Sequence, residues 1–299
     1  PPGTGKTFKL ISRAKAYARV GTPLHKIGYF AFSKKAAGVA KERMPADNKR
    51  LPYFQTLHSF CFTFLDINME DIMQPYHYEK FGKEINVKVK YADKYNKEEI
   101  SYLTCDNPYF QLIHKAVNKC IDVREEYELW EHDTKEVLWP TLKYISDNLI
   151  KYKEAKNLYD FNDLVDLTIK NKDKENFPTF KAVFIDEAQD LSPLQWKLFD
   201  VFRDVERFIK EPAKERVLKY SKRVSRTVQE ESQKPIEKIM GIRKEKNYLP
   251  RDFEGESLTI ANLSQIDLTK GKWLILSRTI SRQIKIAEEL KKKNLFYET

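Results

Sequence analysis

Pro2-Gly3-Thr4-Gly5-Lys6-Thr7 opens the chain, and far downstream Val183-Phe184-Ile185-Asp186-Glu187-Ala188-Gln189-Asp190 answers it. The first stretch matches the last six positions of the GxxxxGK[ST] phosphate-binding loop, with Pro1 filling one more position. Glycines let successive backbone N–H groups curl around a phosphate with no Cβ in the way. Lys6 would neutralise β- and γ-phosphate oxygens, and Thr7 would offer its hydroxyl to Mg2+. The helix starting here would add its dipole to the anion site. Pro2, Gly3, Thr4, Gly5, Lys6 and Thr7 are therefore the expected nucleotide-binding residues. A chance glycine-rich turn would fit the same residues, so the loop needs its other half. The sequence begins inside the motif, and a first glycine and a central strand are expected to precede Pro1.

The acidic stretch supplies the other half. An apolar run from Ala182 to Ile185 reads as a buried strand that delivers two adjacent carboxylates at its carboxyl end. Asp186 suits the Mg2+ site. Glu187 is placed to orient or deprotonate an attacking water, which nucleotide binding without hydrolysis does not require. An acidic loop capping the next helix would account for Asp190 but not for an apolar strand ending in Asp-Glu. ATP hydrolysis with Mg2+ is the expected chemistry.

Working outward, Ile27-Gly28-Tyr29-Phe30-Ala31-Phe32 reads as another short buried strand. Ser33 is placed to cap a helix from Lys34 to about Met44, with Ala36, Ala37, Ala40 and Met44 at helical spacing. Strand, helix and distant strand imply a parallel α/β sheet. Between roughly Leu65 and Tyr159 the pattern becomes helical, with Leu138, Leu142, Ile145, Leu149 and Tyr152 expected on one face. A further α/β piece is expected from about Arg216. It would contain a strand at Trp273–Ser277 and a helix from Ser281 to about Asn294, with Ile284, Ala287 and Leu290 inward.

Composition sets the wider limits. A chain of 299 residues exceeds one ordinary core, and 54 Lys+Arg against 44 Asp+Glu leaves a net charge of +10. That excess suits a polyanionic partner without saying which. No stretch approaches the roughly 20 apolar residues of a membrane span. Cys61, Cys105 and Cys120 stand far apart, which argues against a zinc site or disulfide framework and for a reduced, cytoplasmic setting.

The order of motifs resembles the superfamily 1 DNA helicases of the UvrD/Rep type. Asp186-Glu187-Ala188-Gln189-Asp190 is similar to that family's DExxD form, and Tyr159-Asp160-Phe161-Asn162-Asp163-Leu164 to its YDFDDL segment. Ala31-Phe32-Ser33-Lys34-Lys35-Ala36-Ala37 resembles the TFTNKAA motif, and Thr56-Leu57-His58-Ser59-Phe60-Cys61 the T(I/F)HSFC motif. Leu218-Lys219-Tyr220-Ser221-Lys222-Arg223 looks like LxxNYR with Ser and Lys in place of Asn and Tyr. Leu274-Ile275-Leu276-Ser277-Arg278 resembles a strand of the second motor domain.

The resemblance implies RecA-like P-loop NTPase motor domains with a helical insertion. Residues 1–66 and 155–212 would form the first motor domain, 67–154 the insertion, and 213–299 part of the second. It also implies roles. Gln189 would sense the γ-phosphate, and Arg223 would reach that phosphate as an arginine finger. Phe32, Ser33, Lys34, His58 and Phe60 would line the single-stranded DNA track, where aromatic faces stack bases and Lys or hydroxyl groups hold phosphates. Phe60 is about as well explained by core packing, and His58 by a polar contact rather than a metal. Trp130, Trp139, Trp196 and Trp273 are read as packing residues. The Lys88–Lys97 run, with Tyr91 and Tyr95, could touch duplex DNA, whereas Lys291-Lys292-Lys293 reads as a solvated helix end.

Two departures stand out. The family's GDxxQ motif is missing where Arg203 meets Asp204, and a chain break there would show as a Cα–Cα separation well above about 3.8 Å. The family's later motifs and an upstream glutamine segment are missing too, so an incomplete motor is expected. The expectation is an ATP-dependent helicase or translocase that moves 3′→5′ on single-stranded DNA and acts at duplex junctions. Repair is one of its possible settings, a phage genome one of its possible sources, and protein partners are unspecified. The motor of a RecB/AddA-type helicase–nuclease, or a nucleotide-switched clamp without unwinding, are the alternatives. Intact Lys6, Asp186 and Glu187 argue against the clamp.

Overall fold

The central strand β1 (Ile27–Phe30) is buried at all four positions, because helices cover both faces of the sheet that it organises. It lies between β2 (Phe54–Gln55) and β3 (Ala182–Ile185), and both pairings are parallel. Tyr29 aligns with Phe54 and Phe184, and Phe30 with Gln55 and Ile185. The computed structural model describes residues 3–45, 50–88, 107–130, 137–203, 218–237, 248–261, 265–277, 280–293 and 295.

Alternation along β1 sorts its side chains between two layers. Ile27 and Tyr29 pack with Ile11 and Ala14 of α1 (Lys6–Arg19) and with Ala37 and Ala40 of α2 (Lys34–Glu42). Phe30 packs with residues of α3 (Leu57–Leu65), with Phe180, and with Phe199 and Phe202 near the end of the chain's later helix (Pro193–Arg203). Its ring stacks on Phe202 at 5.2 Å and meets Phe60 and Phe199 edge-on at 5.8 and 5.6 Å. Gly28 shares this face, and a Cβ there would come within 3.3 Å of the Phe180 ring. The glycine lets Phe180 close on the strand. Each phenylalanine buried here contributes about 1.5–3 kcal/mol. The fold is α/β, a parallel sheet flanked by helices.

Local signals explain the ends of these elements. The expected strand Ile27–Phe32 ends at Phe30, and Phe32 turns out into solvent at 42% exposure. Ser33 caps α2 as its position suggests, accepting from the Ala36 N–H at 3.2 Å. Asp190 does not cap the helix after β3. Ser192 and Gln195 exchange hydrogen bonds there instead, a capping box that closes the first turn.

The long elements among the insertion's described residues are helices. They are α4 (Pro75–Glu84), α5 (Pro108–Lys119), α6 (Val123–Leu129) and α7 (Trp139–Lys156) around a separate core of Phe81, Phe110, Ile113, Leu142, Ile145 and Leu149. Leu138, expected on the inner face of α7, is its N-cap and is 52% exposed. The chain leaves and re-enters the sheet-bearing part at one place. Tyr159 N–H donates to Asp71 O, and Met73 N–H to Tyr159 O, both at 2.8 Å. Just beyond, α8 (Phe161–Lys170) begins with Asp160 as its cap, and α9 (Pro193–Arg203) follows β3.

By its internal contacts the chain divides into one unit of residues 5–218 and another of residues 1–4 with 219–299. In the latter, α10 (Arg226–Glu237) and α11 (Ile280–Lys292) are the long helices among the described residues. The strand expected at Trp273–Ser277 is not formed. Residues 273–277 have no regular secondary structure, and Leu274 and Leu276 are more than four-fifths exposed at 83% and 81%. On α11 Leu290 is buried, but Ile284 faces outward. Trp196 and Trp273 are exposed, whereas Trp139 and Trp130 pack against the insertion core. Pro2, Asp204, Arg278, Cys105 and most of the Lys88–Lys97 run lie outside the described residues, as does the Arg203–Asp204 junction. Among the described residues no helix is long and apolar enough to cross a membrane.

Candidate active site and nucleic-acid face

The glycine-rich loop enters α1 through Gly5, whose φ of 81° is the left-handed conformation that glycine adopts without strain. No side chain caps this helix. The ladder starts with Lys9 N–H donating to Gly5 O at 3.0 Å, and the first N–H groups of an α-helix precede its i→i−4 ladder. An N-terminus of this form, with Lys6 and Thr7 in its first turn, suits a phosphate.

Thr7 Oγ1 donates to Asp186 Oδ2 at 2.7 Å across a sequence separation of 179 residues. Asp186 lies just past β3 and is 5% exposed. Its backbone N–H still donates to Phe30 O at 2.9 Å, which extends the β1–β3 ladder by one residue. The same Oδ2 accepts from Tyr29 Oη at 3.2 Å, and Oδ1 accepts from the Glu187 N–H at 3.2 Å. With its proton directed at Asp186, the Thr7 hydroxyl keeps oxygen lone pairs for a cation. A hydroxyl and a carboxylate held together form the hard oxygen donor set that Mg2+ prefers. The residues fit the ion. It would supply charge neutralisation for a phosphoryl group held at Lys6.

Glu187 is held differently. Its φ of 53° is left-handed, a strained conformation for a non-glycine residue of about 1–3 kcal/mol, and it turns the chain sharply after the strand. Its Oε2 accepts from Gln189 Nε2 at 2.5 Å, and Gln189 also reaches Asp190 Oδ2 at 3.3 Å. Asp186 is thus buried and fixed, and Glu187 beside it is partly open and oriented by an exposed glutamine.

The DNA candidates follow the carboxyl ends of β1 and β2. Phe32 and Lys34 are exposed, and Lys34 makes no ion pair among the described residues. Ser33 has its hydroxyl committed to the α2 cap, and Thr56 caps α3 by accepting from the Ser59 N–H at 3.2 Å. His58 lies partly beneath the surface with its ring edge-on to Phe161 at 5.4 Å. Burial pushes its pKa down to about 4, so it is a neutral ring at pH 7 and would meet DNA without a charge. Phe60 is 2% exposed inside the aromatic core, with rings of Phe30, Phe64 and Phe202 around it. It cannot present a face to a base, and its packing reading replaces its DNA role. A cavity of about 20 Å³, room for one water, is lined by Phe32, Thr56, His58, Asp186 and Gln195.

In the other unit, the Arg223 side chain is exposed and makes no ion pair among the described residues, while its backbone N–H donates to Ser221 Oγ at 3.2 Å. Gly3 belongs to the same unit and accepts from the Lys222 N–H at 2.8 Å. A Cβ on Gly3 would fall 2.4 Å from Arg223 Cβ, so no larger residue fits there.

Tyr29 escaped the reading of motifs, which treats it as strand filler. The available signal was a phenol in a fully buried run, because such a hydroxyl must find a partner. Burial and the charge of Asp186 hold the phenol's pKa above its ordinary value, so it remains a donor. A buried cluster of Lys153, Asp160 and Asp163 was also missed: Lys153 Nζ donates to the two carboxylates at 2.9 and 2.6 Å. It joins the end of α7 to the capping box of α8. The YDF-type segment therefore serves at least one structural purpose.

A parallel sheet with a glycine-rich loop entering one helix and an Asp-Glu pair at the end of a neighbouring strand defines the P-loop NTPase class. The family model described as UvrD/REP helicase N-terminal domain matches residues 1–209, and the chain belongs to that family. No curated protein sequence matches the chain. It is therefore a helicase of the superfamily 1 kind, an ATP-hydrolysing protein that binds DNA and uses ATP with Mg2+.

Proposed function

We propose that the chain carries the ATP-hydrolysing part of a translocase that moves 3′→5′ on single-stranded DNA and opens duplex at junctions. Residues 1–66 with 155–212 would be the first motor domain, 67–154 its insertion, and 213–299 part of the second motor domain, all working inside the cell on DNA. The observation that supports the reading is the 2.7 Å bond from Thr7 to Asp186, which brings together the two stretches proposed to hold Mg2+·ATP from opposite ends of the family match.

The roles follow from position and chemistry. Lys6 and the N–H groups at the start of α1 bind the β- and γ-phosphates. Thr7 and Asp186 hold Mg2+. Glu187 accepts a proton from, or aligns, the attacking water, and Gln189, bonded to it, reports whether the γ-phosphate is present. Arg223, which makes no ion pair among the described residues, stabilises charge on the transferring phosphoryl group. Phe32 stacks a base and Lys34 holds a phosphate, with the neutral His58 and the α2 cap at Ser33 beside them. These side chains read no sequence, in keeping with a motor that must pass over any base.

Polarity is tested by displacement of streptavidin from oligonucleotides biotinylated at one end. A 3′→5′ motor clears the 5′-biotinylated strand in an ATP-dependent manner and leaves the 3′-biotinylated strand bound. Clearance of the 3′ label alone would reverse the assigned direction, and clearance of neither would remove translocation from the proposal.

A further inference from the structure

We propose that Tyr29 is a positioning residue for Asp186, fixing the carboxylate that holds Mg2+ from inside the sheet. The inference rests on the reading of Thr7 and Asp186 as the Mg2+ site. Tyr29 is fully buried among Ile11, Ala14, Ala37 and Ala40, and its ring lies nearly parallel to Phe54 at 5.3 Å and 15°. Packing alone would be met by phenylalanine, which fills the same layer and leaves no hydroxyl to satisfy. The hydroxyl instead meets Asp186 Oδ2 at 3.2 Å, in a part of the fold where water is excluded and a bond to a charged acceptor is strong.

Three donors then converge on one carboxylate. Thr7 Oγ1 and Tyr29 Oη share Oδ2, and the Glu187 N–H holds Oδ1. Thr7 is expected to turn its lone pairs to the cation, and the Glu187 N–H belongs to the segment that handles the attacking water. Tyr29 is the donor with no other task. Its ring is held by the stack on Phe54, and its backbone by the register that pairs it with Phe184. Its effect is to fix the orientation of the Asp186 carboxylate that would hold the metal, and the loss of such an outer hydrogen bond typically costs about 10–100-fold in metal affinity or activity.

The test compares the full chain with its Tyr29→Phe variant. Calorimetric titration with ADP is run without metal and at a series of free Mg2+ concentrations, alongside steady-state ATP hydrolysis. The expected result is unchanged ADP affinity without metal and about a tenfold higher Mg2+ concentration for half-maximal enhancement of binding. It includes a lower kcat, with KM for ATP at saturating Mg2+ within about twofold of the parent. Identical Mg2+ dependence in the two proteins overturns the role of Tyr29. Equal loss of metal-free ADP affinity also overturns it, because Tyr29 would then be a packing residue only. A parent protein whose nucleotide binding ignores Mg2+ would instead remove the metal-site reading itself, an outcome distinct from either.

Discussion

The proposed nucleotide corner and the proposed DNA face lie at the carboxyl ends of neighbouring strands of one sheet and are built by opposite means. At the nucleotide corner both oxygens of Asp186 have partners, supplied by Thr7, Tyr29 and the Glu187 backbone. On the DNA face Phe32 and Lys34 stand in solvent, Lys34 without a counter-ion among the described residues. The first site is assembled before its ligand arrives, which suits electrostatic catalysis because nothing must reorganise during the reaction. The second completes its contacts only with the ligand, which suits a track that must be gripped and released in every cycle. The difference predicts where each substitution acts: on chemistry at one end, on DNA affinity at the other.

The sharpest way to break the contrast is Lys6→Ala, which removes a cation from the assembled site. ATP hydrolysis is expected to fall about 10²–10³-fold with the thermal midpoint little changed. A residual rate near that of the parent would show that Lys6 does not meet the phosphates. Two phenylalanines sharpen the contrast further. Phe60→Ala should destabilise the fold by about 3–5 kcal/mol in denaturant titration, because it empties the centre of an aromatic core. Phe32→Ala should leave stability within about 0.5 kcal/mol and weaken binding of an oligo-dT strand by about 1–3 kcal/mol, read by fluorescence anisotropy. If the two effects were exchanged, the assignment of inner and outer rings would be wrong.

A further effect depends on pH and concerns His58. Its folded pKa, near 4, lies below the 6.5 of an unfolded histidine, so between these values the unfolded chain binds a proton that the folded chain does not. Stability should therefore drop as pH falls from 6.5 towards 4, and His58→Gln should remove about one proton's worth of that slope in pH-dependent urea titrations. An unaltered slope would place the histidine in contact with water.

The sequence resolved these two regions unequally, for physical reasons. The phosphate loop and acidic strand were legible because glycines, a lysine and carboxylates at fixed spacing have few other uses. Strand β1, the Ser33 cap and the inner face of α7 followed from apolar periodicity and capping chemistry. Phe60 was ambiguous, since an aromatic in a DNA-lining motif and one in a core have the same letter, and only burial separates them. Trp273–Ser277 was expected as a strand because an apolar run states only a demand for burial, whereas Leu274 and Leu276 lie exposed. Tyr29 and the Lys153–Asp160–Asp163 cluster went unread because each contact pairs a motif residue (Asp186, Asp160 or Asp163) with one outside every motif (Tyr29 or Lys153). Both lie where a polar group is buried, which only the fold reveals.

The central claim is that hydrolysis at Glu187, beyond β3, answers to single-stranded DNA bound at the ends of the neighbouring strands β1 and β2. Steady-state ATP hydrolysis by the full-length protein and its Glu187→Gln variant, with and without oligo-dT, tests it most directly. The account predicts Mg2+-dependent turnover that DNA stimulates in the parent, and a loss of about 10²–10⁴-fold in the variant with nucleotide binding retained. Turnover indifferent to DNA, or a Glu187→Gln protein hydrolysing ATP at the parental rate, would contradict it.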